Sequence, residues 1–134
     1  MPTTKSSRMT LSEKRIVGFT AVAHGLNHAV ELVFGAVLLV VAFEFDARIA
    51  LLGAIANGAS LSYSLMALPA GQLADHWGSK RMVALSMGGS GIAAAMAAAA
   101  PNLAVLAIAL VIMGLLGGLY HPAGLSFITR GVRH

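Results

Sequence analysis

The sequence predicts an all-α membrane protein built on four transmembrane helices. Three observations carry that expectation. Hydrophobic residues make up 57% of the chain and charged residues only 10%, outside the usual mix for a soluble domain. The mean hydropathy is +0.81, and a water-soluble core of 134 residues has no room for so much apolar surface. The charges fall between long apolar runs and not along one face. The net charge of +4 and pI near 10.1 therefore do not point to nucleic acid as a partner.

Residues 1–15 are polar, with Ser, Thr and basic groups, and read as a disordered cytoplasmic tail. After Lys14-Arg15 the apolar stretch is too short before His24 for a signal peptide, and it resumes beyond Glu31. Residues 16–130 form the transmembrane region. Its spans cover residues 16–43, 49–73, 82–100 and 102–128, each near the roughly 20 residues needed to cross a bilayer. Once in lipid each must be helical, because a lone backbone has no other way to satisfy its hydrogen bonds there.

The connections "EFDAR", "ADHWGSKR" and "APN" are short, which makes sequential helices antiparallel neighbours. Lys5, Arg8, Lys14 and Arg15 precede span one, Lys80 and Arg81 follow span two, and Arg130 and Arg133 follow span four. Only Arg48, beside Glu44 and Asp46, falls on the other side. Eight of the nine basic residues on one side predict cytoplasmic termini and a multi-pass protein of the inner (plasma) membrane. Residues 131–134 end the chain on that side. Span three, "MVALSMGGSGIAAAMAAAA", consists largely of small residues, which let helix backbones approach closely in lipid.

The loop "GQLADHWGSKR", residues 71–81, carries the most specific pattern. Gly71 suits a close helix contact. Asp75 is a carboxylate just past the hydrocarbon edge, suited to face a helix N-terminus or a basic side chain. Gly78 suits a tight turn, and Lys80 and Arg81 anchor the next span at the headgroups. The run of Gly71, Asp75, Gly78, Lys80 and Arg81 resembles the loop between helices two and three of the major facilitator superfamily. His76 and Ser79 stand where that family usually has basic residues, which thins the charge network. "YSLMALPAGQLADHWG" and "GLLGGLYHPAGLSFITRG", with "YHPAG" the more telling element, are similar to the branch that includes fosmidomycin-resistance-type efflux proteins.

The resemblance implies a partial major facilitator fold. The complete family fold has twelve helices in two six-helix halves, each a pair of inverted three-helix repeats. The chain stops at "ITRGVRH", where the family would enter the loop to helix five. It is therefore expected to be the truncated N-terminal portion of a secondary-active transporter, most simply a proton-coupled efflux protein, that does not transport alone. Its partners would be the bilayer, a small-molecule solute, protons, and the remaining helices or another membrane chain.

The first span holds "HGLNHAVE", residues 24–31. His24, His28 and Glu31 share one helix face at spacings of four and three, with Asn27 beside it. An acidic side chain at a span's centre costs roughly 2.5–3.5 kcal/mol on insertion scales, so it has a task or a partner. His28 and Glu31 fall near the middle of the span, the depth at which transporters place solute and ion sites. Because the resemblance puts helices one and four on a central cavity, Tyr120 and His121 would meet this face. Proton coupling or solute binding, a structural hydrogen-bonded role, and metal binding by the His pair are the open readings of it. For His121, satisfying the kink at Pro122 is the simpler alternative.

Asn57 and Tyr63 in span two are further cavity candidates. Ser60, Ser62 and Ser64 lack a base and orienter, and neither a metal-hydrolase motif nor a cofactor motif is present, so no enzyme is predicted. Two other classes compete with the transporter portion. One is a dimeric proton-coupled antiporter of the small multidrug resistance type, with Glu31 as its membrane carboxylate. The other is a non-transporting membrane module that binds a partner.

Overall fold

The computed structural model describes residues 9–132, so Lys5, Arg8, Arg133 and most of the predicted tail lie outside the described residues. Helix α1 (Leu11–Glu44) begins five residues before the predicted span. The cause is a capping box: the Thr10 hydroxyl accepts from the backbone N–H of Glu13, and the Glu13 carboxylate accepts from the Thr10 N–H at 2.7 Å. Residues 11–15 are thus helical and not disordered. At 1.5 Å per residue α1 is roughly 51 Å long, well over the hydrocarbon thickness of about 30 Å, which leaves its midpoint near Asn27 and His28.

Helix α2 (Ile49–Trp77) carries Pro69 in its interior and runs four residues past the predicted span. It ends at Gly78, whose φ of 85° lies in the left-handed region that L side chains rarely adopt. One glycine thereby closes α2 and opens α3 (Ser79–Ala98). The Asn102 side chain then accepts from the Val105 N–H at 3.0 Å and starts α4 (Leu103–Gly118).

The predicted fourth helix is two helices. Helix α4 breaks at Leu119, and α5 (Tyr120–Gly131) continues in its place. Pro122 explains the break. Without an N–H it cannot serve a helix interior, but in the first turn of α5 that donor has no intrahelical partner anyway. The two together, Leu103–Gly131, are long and apolar enough for one crossing, so the five helices of the described residues make four spans.

The bundle packs around α4. A Cβ on Gly114 would strike the backbone carbonyl of Ala59, and one on Gly118 would strike that of Tyr63. The closest helix approach therefore lies between α2 and α4. In span three Gly89 meets Leu116, whereas Gly88 and Gly91 face open space. Gly71 likewise has no neighbour within 4 Å of where a Cβ would stand, so the close contact expected there is absent among the described residues.

Two apolar cores result. Ala70, Ala74, Met82, Tyr120 and Ala123 fill one, and Phe34, Leu52, Ala93, Leu106 and Leu110 the other. The Asp75 carboxylate accepts from the Arg130 guanidinium at 2.8 Å, and the site of a Gly131 Cβ lies 2.7 Å from Ile16. The start of α1, the α2–α3 turn and the end of α5 thus share one end of the bundle. Lys14, Arg15, Lys80, Arg81 and Arg130 collect there, and Arg48 sits at the other end.

Candidate functional site

Five of the six candidate solute or proton residues surround one junction between α1 and α5. The imidazoles of His24 and His28, one turn apart on α1, have centroids 4.6 Å apart. His121 of α5 lies 5.3 Å from each of them. The restart of the helix at Tyr120 places His121 in the first turn of α5, where it faces α1. Its ring packs against both α1 imidazoles, and among the described residues it has no hydrogen bond to the backbone at the break. Tyr63 of α2 closes the group, 6.1 Å from His121.

His28 holds Glu31 directly, Nδ1 to Oε2 at 3.2 Å. Both side chains are partly exposed, 43% and 33%, so this pair sits at the wall of open space and not within packed core. Asn27 is 4% exposed and donates from Nδ2 to the Tyr63 hydroxyl at 3.2 Å. That bond ties α1 to α2 beside the glycine seam of α4.

The predicted polar face is divided between two spaces. His24 and His121, with Thr20 and Pro122, line an open cleft between α1 and α5. Asn27 and Glu31, with Tyr63, line a partly open cavity of about 190 Å³ between α1, α2, α3 and α4. His28 stands between them, bonded to Glu31 on one side and packed on His121 on the other.

Tyr120 lines the same cleft as His24 and His121. It is 2% exposed, and its hydroxyl donates to the Thr20 carbonyl at 2.8 Å, so its polar end is used in joining α5 to α1. Its ring still flanks His24 and His121. Asn57 lies exposed on α2 and does not join the site. Ser62 and Ser64 donate to the carbonyls of Gly58 and Ser60 one turn back, a local use of both hydroxyls. Among the described residues no set of three His, Asp or Glu side chains is arranged to hold a metal ion.

Two site residues escaped the sequence reading. Ser90 of α3 lines the cavity, and Phe34 of α1 forms part of its apolar wall. Ser90 belonged to the small-residue run of span three, whose periodicity gives no sign of which face meets a cavity. Phe34 was legible only as one apolar residue among many.

In the loop, Asp75 meets Arg130 at the membrane edge, with both side chains more than half exposed. A pair so solvated contributes roughly 0–1 kcal/mol to stability. It registers the turn against α5 more than it stabilises the bundle. His76 is spent on its own helix, Nδ1 to the Gln72 carbonyl at 2.8 Å. Lys80 and Arg81 are exposed at the start of α3.

Comparison with curated proteins and with solved structures returned no match. The sequence model of the Major Facilitator Superfamily matches residues 19–132, a stretch that takes in most of the first span, the other three spans, the Asp75 loop and the histidine cluster. A chain with this helical bundle, and a family match over most of its length, belongs to the major facilitator superfamily, a family of transporters.

Proposed function

We propose that this chain supplies one wall of a proton-coupled transporter that exports a small molecule, and that it does not transport alone. The observation that carries the reading is the ring contact of His24, His28 and His121, with His28 bonded to Glu31 near the middle of the longest span. An imidazole titrates near neutral pH, so three in ring contact offer a path for a proton between the α1–α5 cleft and the Glu31 carboxylate. Ionisable groups at such depth mark solute and ion pathways.

The export direction and the fosmidomycin-resistance-type branch rest on the similarity of "YHPAG" and its flanks. Family membership weighs against the small multidrug resistance reading. The partner-binding reading becomes part of the main one: the wall works with further helices, from the same protein or another chain.

The test uses inverted membrane vesicles from cells that make the chain together with the further helices it works with. With an imposed pH gradient, a transported solute dissipates the gradient when added. A panel of small organic solutes that never does so, while the protein is present and folded, removes the transport reading.

The membrane sidedness is part of the proposal, supported by the basic end of the bundle. The chain has no cysteine, so single reporters are clean. Ala47→Cys reacts with an impermeant maleimide in intact cells, and Ser12→Cys reacts only after permeabilisation. The reverse pattern would mean an inverted orientation.

A further inference from the structure

We propose that the cavity between α1, α2, α3 and α4 binds a small organic cation, a primary ammonium group on an apolar body of about one ring. The inference rests on the transporter reading for its physiological meaning, although the binding itself requires no transport.

The argument begins with Ser90. It is 4% exposed, lines the cavity, and its hydroxyl has no hydrogen-bond partner. A helical serine ordinarily satisfies itself on the carbonyl one turn back, as Ser62 and Ser64 do here. A buried hydroxyl left without a bond costs roughly 1–3 kcal/mol, which a ligand can recover.

Two more acceptors line the same space. Asn27 donates through Nδ2 to Tyr63, which leaves its Oδ1 unused. Glu31 gives Oε2 to His28 and keeps Oε1. The lining thus offers unused acceptors, and the N–H groups of a primary ammonium are donors only.

Charge narrows the class. Glu31 is the acidic residue of the lining, and no Lys, Arg or His is among the described residues that line the cavity. An anion would find no counter-charge there. Tyr63 and Phe34 supply aromatic surface, which attracts cations through the ring quadrupole. Leu110 and Met113 complete an apolar wall. Size sets the body of the ligand: a protein cavity of about 150 Å³ accepts benzene, and this one measures about 190 Å³.

The experiment is a calorimetric titration of the purified full chain in lipid nanodiscs. Benzylamine is the probe, at about pH 7.5, where an alkylamine is protonated as lysine is. Phenylacetate is the anionic probe of similar size. Benzylamine is expected to bind and phenylacetate not. Ser90→Ala should weaken binding roughly three- to tenfold, the worth of one hydrogen bond. Glu31→Gln should weaken it on the order of 30-fold or more, as loss of a charged partner does.

Gly35→Leu should abolish binding, because Gly35 lines the cavity and a Cβ there meets nothing within 4 Å. The Cβ itself meets no obstacle, and the bulk of the leucine competes with the ligand for the space. Equal binding of phenylacetate, or benzylamine binding that ignores all three substitutions, overturns the assignment. Benzylamine binding with this variant pattern supports the cavity even if vesicle transport fails. Solute-driven proton flux in the vesicles without benzylamine binding sinks the ligand class and leaves the transport reading standing.

Discussion

Glu31→Gln is expected to reduce proton-coupled flux in vesicles to the level of vesicles without the protein, while the bundle stays folded. Glutamine keeps the shape of the side chain and can still hydrogen-bond His28, so packing at the junction is preserved. What it loses is the ability to exchange charge. No carboxylate would remain on the cavity side to receive a proton from the neighbouring imidazoles or to hold a cation. His28→Ala should act on the same step, since His28 joins the two spaces. His24→Ala should reduce flux less, because His121 still contacts His28 directly. Full proton-coupled flux in Glu31→Gln would mean that the proton travels elsewhere.

The second large effect is structural. Gly118→Leu is expected to prevent assembly of the bundle, because its Cβ would overlap the Tyr63 carbonyl on α2. Overpacking a core with flexible side chains costs about 1–3 kcal/mol. Here the obstacle is backbone, which no rotamer change can move aside. Gly114→Val should behave alike against Ala59. Gly88→Ala is the control, since its Cβ meets open space; removing a helical glycine there should stabilise by roughly 0.5–1 kcal/mol. Size-exclusion profiles and thermal unfolding in detergent separate the two classes. A monodisperse Gly118→Leu protein with unchanged unfolding temperature would contradict the α2–α4 seam.

How much of this was legible beforehand depended on which physical signal each feature leaves. The four spans were readable because apolar length and flanking charge are local properties of the sequence. The face of His24, His28 and Glu31 was readable for the same reason, helical spacing being enough to align the three.

The start of α1 was misplaced although its signal was present: Thr10 and Glu13 form a capping box that the polar composition of the segment obscured. The break at Leu119 was half visible, because Pro122 announces that α4 cannot run through but not whether the chain kinks or restarts. Burial of Tyr120 was beyond reach, since it depends on the Thr20 carbonyl a hundred positions away. The same holds for Ser90. A serine among alanines and glycines becomes a site only when α1 and α2 close a cavity over it.

The α2–α4 seam teaches a related lesson. Small residues drew attention to span three, where they are densest, yet Gly114 and Gly118 make the closest approaches. Density of glycine measures what a helix permits. Contact depends on which neighbour the loops bring alongside.

The most direct test of the central claim, that one face handles both proton and solute, is a count of protons released on solute binding. The purified chain in weakly buffered nanodiscs, near the ordinary histidine titration point of about pH 6.5, is titrated with a bound cation such as benzylamine while pH is recorded. The account predicts proton release from the wild-type chain, as the ammonium group takes the place on Glu31 of the proton held with His28, and no release from Glu31→Gln. Binding of the cation with no change in pH, or with the same release from Glu31→Gln, would contradict it.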